Sequence, residues 1–491
     1  MKARTSSEGR NLASSKPRQR QQKTSPEAFL PQEVVNPPGA VSQGPSLGAA
    51  RTRGTTPNQK IGLLEKMLER NNMLQALKRV KGNKGAPGID GMTVKELEPY
   101  LVKHWANIKT SLLQGTYQPS PVKRVEIPKP GGGKRPLGIP TVADRLIQQA
   151  LTQVLTPIFD PGFSPHSYGF RPGKRGHDAV RQAREYIQQG YKVVVDTDLE
   201  KFFDRVNHDI LMSKVARKVK DKRVLKLIRS YLESGVLLDG VLVTSEEGTP
   251  QGGPISPLLA NIMLDDFDKE LERRGHKFVR YADDCNIYAK SFRAGQRVLA
   301  SITKYLEKKL RLKVNQEKSA VDRPWRRKFL GFSFYIGKQV GIRLSPETIK
   351  RWKERVREIT RRNKSVSMGQ RVKELSTYLK GWLGYYALAD ARKALLEIDK
   401  WIRHRLRMCT WKQWKRVRTR IREFRAHRAP EWMAVAYSNT RKGPWAASLL
   451  LNSILTKDYW QKLGLVSLMD RYLEIRNAWR TAVYGTVRTV V

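Results

Sequence analysis

The stretch Lys277-Phe278-Val279-Arg280-Tyr281-Ala282-Asp283-Asp284-Cys285-Asn286-Ile287-Tyr288-Ala289 decides the reading of this chain. β-Forming residues flank two acids that extend a strand poorly, so the pattern predicts a hairpin with Asp283-Asp284 at its turn. Adjacent carboxylates repel each other and hold their protons more tightly unless a cation intervenes. The chain carries 94 Lys+Arg against 45 Asp+Glu, a net charge of +49. An acidic pair at a hairpin tip in so basic a chain invites a divalent metal, and hard oxygen donors suit Mg²⁺, which works beside substrate phosphates. The alternative is a solvated Asp-Asp turn.

A third carboxylate lies upstream in Tyr191-Lys192-Val193-Val194-Val195-Asp196-Thr197-Asp198-Leu199-Glu200-Lys201-Phe202-Phe203-Asp204. The valine run predicts a buried strand, and the polar step after it is where such a strand presents ligands. Asp198 is the candidate to share two metals with Asp283, an arrangement that serves nucleotidyl transfer by activating a hydroxyl and stabilising a leaving pyrophosphate. Asp196 and Asp204 are alternative ligands, and Asp198 alone also reads as the N-cap of a helix over Leu199–Val206.

From here the motifs resemble a family. Asn83-Lys84-Gly85-Ala86-Pro87-Gly88-Ile89-Asp90-Gly91, Arg135-Pro136-Leu137-Gly138-Ile139-Pro140 with Asp144-Arg145, and Ser167-Tyr168-Gly169-Phe170-Arg171-Pro172-Gly173 precede the acids. Thr249-Pro250-Gln251-Gly252-Gly253-Pro254, Asn315-Gln316-Glu317-Lys318-Ser319 and Phe329-Leu330-Gly331-Phe332 complete the series. In this order they resemble a group II intron-encoded reverse transcriptase/maturase of bacterial type over residues 60–480. The resemblance implies an α+β, right-hand polymerase fold: helical and β-hairpin fingers, a palm sheet backed by helices, and an all-helical thumb.

The resemblance also implies roles. Asp198, Asp283 and Asp284 would be catalytic and, with the Leu199 carbonyl, would hold two Mg²⁺ ions. Lys129 and Arg135 would hold the incoming triphosphate, Gln251 would line the nucleotide pocket, and Lys318 would touch phosphate or protonate pyrophosphate. Phe203 would meet the sugar 2′ position and exclude ribonucleotides by clash, with Phe202 the better core candidate. Gly252 and Gly253 let backbone approach a nucleotide closely. Phe329, Leu330 and Gly331 resemble a primer grip. Partners so implied are the host intron RNA, an RNA template with DNA primer, dNTPs and a DNA target. A non-enzymatic maturase and a reverse transcriptase outside introns are the rival readings.

Composition sets the remaining bounds. The positive excess points to nucleic acid, because phosphate contacts release counterions. No apolar run is long enough to span a bilayer, so no membrane partner is expected. Met1 to Arg20 lacks the apolar core of a secretory signal, which favours a bacterial cytoplasmic setting with an organellar one as alternative. The two cysteines, Cys285 and Cys409, exclude a Cys-rich zinc site within the chain, and with it the HNH endonuclease of many relatives. The resemblance then implies priming from a nascent DNA strand.

Five segments are expected: a disordered basic extension (1–57), N-terminal helices and fingers (58–185), palm (186–340), thumb or maturase domain X (341–428) and a DNA-binding-like segment (429–491). Ile61, Leu64, Met67 and Leu68 predict the first helix, and Gly131-Gly132-Gly133 a hairpin loop. Ile398, Ile402, Leu406 and Cys409 stripe a thumb helix. From Trp401 to Arg428 there are eleven Lys/Arg and one acid, Glu423. Arg403, Arg407, Trp411, Lys412 and Lys415 are the RNA-binding candidates there, with a solvated helical face as the alternative. His166, His177, His208 and His404 are isolated, and no metal role is expected for them.

Overall fold

Alternating apolar residues build a sheet whose two faces meet two different cores. The computed structural model describes residues 62–128, 133–238, 241–243, 248 and 252–487, with the backbone alone at 236–238, 241–243 and 482–487. The expected disorder of 1–57, Ile61, Lys129, Gly131, Gly132 and Gln251 lie outside the described residues. The chain divides into two units, Met1–Gln59 and Lys60–Val491, and all the described residues belong to the second.

Ten strands form among the described residues: β1 (Val122–Pro128), β2 (Lys134–Ile139), β3 (Val193–Thr197), β4 (Val236–Leu238), β5 (Val241–Val243), β6 (Lys277–Tyr281), β7 (Asp284–Ala289), β8 (Ala320–Asp322), β9 (Phe332–Ile336) and β10 (Val340–Leu344). They make three sheets, ordered β2-β1-β4-β5, β6-β7-β3-β8 and β10-β9. The central sheet β6-β7-β3-β8 is antiparallel throughout.

Side chains alternate across a strand, and the burial follows. Val195, Phe278, Cys285 and Ile287 join one core with the helices Ser256–Arg273 and Phe292–Lys309. Val194, Val279 and Tyr288 join the other, with the helix Gly176–Gln188, the β9-β10 hairpin and the helices from Pro346 onward. Gly295 lets the helix Phe292–Lys309 lie directly on the sheet, since a side chain there would run into Val321 and Val193. The sheet is a palm, and the described residues beyond Ser345 form helices rather than strands, as expected for a right-hand polymerase.

The fingers hairpin forms as predicted, β1 pairing antiparallel with β2 from Lys123 opposite Ile139 to Pro128 opposite Lys134. The predicted Leu64, Met67 and Leu68 are buried, on a helix Leu63–Leu68 continued by Arg70–Asn83. The thumb helix is Arg392–Gln413, with Ile398, Ile402, Leu406 and Cys409 all buried. The alternative reading of Asp198 as a helix N-cap fails: Leu199–Val206 is no helix. Leu199 bridges to Val314 and a single 3-10 turn covers Phe202–Asp204. The backbone turns away because Glu200 donates its N–H to the Lys313 carbonyl across the sheet edge (2.9 Å).

Candidate active site

The register brings two of the acids level. Thr197 stands opposite Cys285 and Asp196 opposite Asn286, so Asp198, the next residue, lies level with Asp284. Tyr281 pairs with Asp284, so the two-residue turn between β6 and β7 is Ala282-Asp283. This corrects the expected turn by one residue: Asp284 opens β7 and keeps a strand conformation. The cause is Ala282, which takes the positive φ of +59° that the turn needs.

A non-glycine residue at that φ is unfavourable by roughly 1–2 kcal/mol, and the surroundings hold it there. Arg280, 1 % exposed, donates Nε and Nη2 to the two oxygens of buried Asp268 (2.7 and 2.6 Å). It donates Nη1 to Asn261 Oδ1 (3.0 Å) and to the Ala282 carbonyl (2.7 Å), and Nη2 to Ser167 Oγ (2.8 Å). All five guanidinium donors are thus satisfied. Gly169 lies against the turn so closely that any side chain there would collide with the Ala282 backbone. Sequence reasoning missed this network. Its signal was Asn261 and Asp268, seven residues apart on the apolar face of one helix, and an arginine inside an apolar strand.

Around the acids, charge is only partly balanced. Arg327 clasps Asp196 through Nε and Nη2 (2.8 and 2.5 Å). Lys318 Nζ is 3.4 Å from Asp198 Oδ2. Asp196, the alternative ligand, is therefore already paired, and Asp204, the other, is exposed. Burial pushes the Asp284 carboxyl well up, and Asp196, Asp283 and Asp198 push it further. Burial also raises Asp283, Arg135 pulling it down and Asp198 pushing it up. Arg135, on β2, is thus near enough for its charge to act on Asp283.

No three His, Cys, Asp or Glu side chains among the described residues converge closely enough to hold a metal together. The donor set nonetheless fits a divalent cation. These are hard oxygen donors whose like charges oppose one another, and the Asp198 main chain is pinned by Ser319 Oγ and by Asn315 N–H (3.0 and 2.9 Å).

Other candidates divide. Phe203 is 8 % exposed and Phe202 3 %; the two rings meet edge to face at 5.1 Å. Gly252 and Gly253 are glycines for a different close approach: side chains there would collide with the Gly138 carbonyl and the Gln148 side chain. Phe329 and Phe332 exchange backbone hydrogen bonds of 2.9 Å around Leu330 (φ +51°) and Gly331 (φ +82°), a tight turn held by Thr348 Oγ1 on the Gly331 carbonyl (2.8 Å) and Tyr385 on the Leu330 carbonyl (3.2 Å). Phe329 is buried, so only the turn itself stays open to a ligand. His166, His177, His208 and His404 each bond a protein group.

The RNA-binding candidates need correction. Arg407 is 8 % exposed and bonds Asn452, and burial depresses its pKa to about 10. Trp411 is 2 % exposed beneath Arg420, whose guanidinium carbon is 4.1 Å from the ring centroid. Both are buried, Arg407 against Asn452 of the C-terminal segment and Trp411 against Arg420. Lys412 and Lys415 are exposed, and Arg403 is half-buried.

Comparison with known proteins agrees with the geometry. Residues 127–334 match the family model "Reverse transcriptase (RNA-dependent DNA polymerase)" and residues 349–428 match "Group II intron, maturase-specific domain". Protein YkfC of Escherichia coli (strain K12) is 37% identical over 227 residues, 45% of this chain and 60% of that protein. Group II intron-encoded protein LtrA of Lactococcus lactis subsp. cremoris is 37% identical over 206 residues, 42% of this chain and 34% of that protein. The chain thus spans less than two thirds of either relative. A chain of the solved partial Cas6-RT-Cas1–Cas2 complex matches 53% of this chain and 45% of its own length at 26% identity, with a TM-score of 0.34. Among the described residues no helix is long and apolar enough to cross a membrane.

Proposed function

We propose that this chain, which belongs to the reverse transcriptases joined to a group II intron maturase-specific domain, is an RNA-directed DNA polymerase that also binds its host intron RNA, assists splicing and copies the intron at a DNA target. The observation that carries the reading is that the sheet register brings Asp198 level with Asp284, next to Asp283 in the turn, with the charge of Arg135 acting on Asp283. Asp198, Asp283, Asp284 and the Leu199 carbonyl would hold two Mg²⁺ ions. When bound, they supply an activated primer hydroxyl and charge stabilisation at the leaving pyrophosphate.

The chain's own residues do the rest. Arg135 and Lys318 present cations toward the triphosphate, and Lys129 and Gln251 are assigned to it from sequence alone. Cations placed where charge develops lower the barrier without reorganising. Phe203 forms the floor against which a 2′-hydroxyl would clash. Leu330-Gly331 presents a rigid turn to the primer strand. Exposed Lys412 and Lys415, with half-buried Arg403, face intron RNA.

The proposed segments are fingers (58–185), palm (186–340), thumb (341–428) and a DNA-contacting segment (429–491). The test is primer extension on an RNA template by the purified protein and by Asp283→Asn. The parent should extend with dNTPs in Mg²⁺ and the variant should lose roughly a thousandfold or more, in the range of removing a group that stabilises transition-state charge, while binding intron RNA as before. Extension by the variant at near the parental rate removes the carboxylates from catalysis.

A further inference from the structure

Phe170 combines two features that folding does not favour. Its φ is +57°, a conformation L side chains seldom adopt, and its ring is 53 % exposed. The residues on either side explain how it is held but not why it is a phenylalanine. Gly169 is pressed against Ala282, and its carbonyl accepts Asn261 Nδ2 (2.9 Å). Arg171 is half-buried, donating to Asp160 Oδ1 (2.7 Å) and to the Ser164 and Ser167 carbonyls (2.5 and 2.9 Å). Upstream, Tyr168 N–H bonds the Arg280 carbonyl (2.8 Å) and Arg280 N–H the His166 carbonyl (2.9 Å). The peptide around Phe170 is therefore riveted to the strand that ends in the catalytic turn.

The ring lies beside Tyr281, the last residue before that turn. Its centroid is 6.3 Å from that of Tyr281. On its far side Tyr281 approaches Gly176, where Leu330 Cδ1 and Tyr385 Oη also meet: they stand 3.7, 3.5 and 3.3 Å from the position a Cβ on Gly176 would take. Phe170, Tyr281 and Leu330 thus form a chain of neighbours from the peptide packed on the Ala282-Asp283 turn to the Leu330-Gly331 turn. A strained residue kept with its apolar ring in water beside a reactive site points to a ligand for that ring.

We infer that Phe170 is a positioning residue that packs against the sugar and base surface of the primer's terminal nucleotide, extending the surface made by Tyr281 and Leu330. A benzyl ring has no hydrogen-bonding group, so it takes any base alike, as a strand-extending enzyme requires. This inference rests on the polymerase reading.

The experiment compares the parent protein with Phe170→Gly and Phe170→Trp on an RNA template annealed to a DNA primer. Glycine removes the ring and relaxes the positive φ, so the melting temperature should not fall. Primer–template Kd, by fluorescence anisotropy, should weaken roughly tenfold, in line with loss of one base–aromatic contact, while KM for dNTP stays at the parental value. Phe170→Trp should restore the Kd. Parental Kd in Phe170→Gly, or a lowered melting temperature, overturns the inference and leaves the polymerase reading standing. If the parent binds the duplex but extends no primer, the polymerase reading falls and this inference with it.

Discussion

Truncating Arg280 should damage both stability and catalysis, and the two losses can be separated. Arg280 and Asp268 are 1 % and 0 % exposed. Arg280→Ala leaves Asp268 buried without a counter-charge, a change that costs about 3–5 kcal/mol. It also strands Asn261 Oδ1, Ser167 Oγ and the Ala282 carbonyl. A unit the length of Lys60–Val491 has an unfolding entropy near ~0.9 kcal/mol/K, at ~2.1 cal/mol/K per residue. If it unfolds as one, the melting temperature should drop by about 3–5 °C in calorimetry. The double variant Arg280→Met/Asp268→Leu removes both charges and should recover most of that loss. It should not recover catalysis, because Ala282 at φ +59° has still lost the donor on its carbonyl. We expect kcat for primer extension to stay roughly tenfold or more below the parent in both variants, as a small misplacement of catalytic groups entails. A melting temperature within about 1 °C of the parent for Arg280→Ala, or full kcat in the double variant, would refute the argument that this network sets the turn.

Three further variants probe the site and the thumb. Phe203→Ala should raise ribonucleotide incorporation roughly tenfold or more over the parent in extension assays with rNTPs; unchanged discrimination, with only the ~3–5 kcal/mol loss of a core truncation, assigns the ring to the core. Lys412→Gln/Lys415→Gln should make the slope of log affinity for intron RNA against log salt shallower by about 1.4–1.8, whereas Arg407→Gln should lower the melting temperature and leave the slope alone. Asp284→Asn should raise the melting temperature of metal-free protein at neutral pH. The folded-state pKa of Asp284 is raised, so its contribution to stability is present below the ordinary carboxylate range and lost as pH rises through the raised value. The variant escapes that loss, which amounts to about 1.4 kcal/mol for each tenfold by which folding weakens the acid. The gain should vanish near pH ~4, the ordinary carboxylate range, and a gain that persists there contradicts the linkage.

Strand patterns carried much of the fold. The valines of β3, the β1-β2 hairpin and the stripe Ile398, Ile402, Leu406 and Cys409 were legible because each is a local periodicity set by burial on one side. What was illegible depended on distant partners. The residues after Asp198 fail to make a helix because their backbone bonds Lys313, far along the chain. Arg407 and Trp411 read as surface because the helix they sit on is basic, but a helix can turn a charged side chain inward when an acceptor such as Asn452 waits there. The turn was misplaced by one residue because alanine is a poor candidate for positive φ, and only the Arg280 network and Gly169 make it acceptable. Phe170 stood within a recognised motif without a role, since neither its conformation nor its exposure is written in its neighbours.

The palm sheet also answers how a site this acidic persists in a chain of net charge +49. Val194 and Tyr288 are buried against the helix Gly176–Gln188 and its neighbours. Further along the same face, Asp196 and Asp284 follow at even spacing in β3 and β7. The apolar half fixes the strands, and the register then forces the acids together. Arg327 offsets Asp196 and Lys318 approaches Asp198, but Asp283 and Asp284 keep raised pKa values. A stronger local cation would relieve that repulsion. It would also compete with the divalent ion the acids are suited to hold. On the proposed function, the residual repulsion would keep the site open to metal, and the positive excess of the chain would gather the polyanion on which that metal acts.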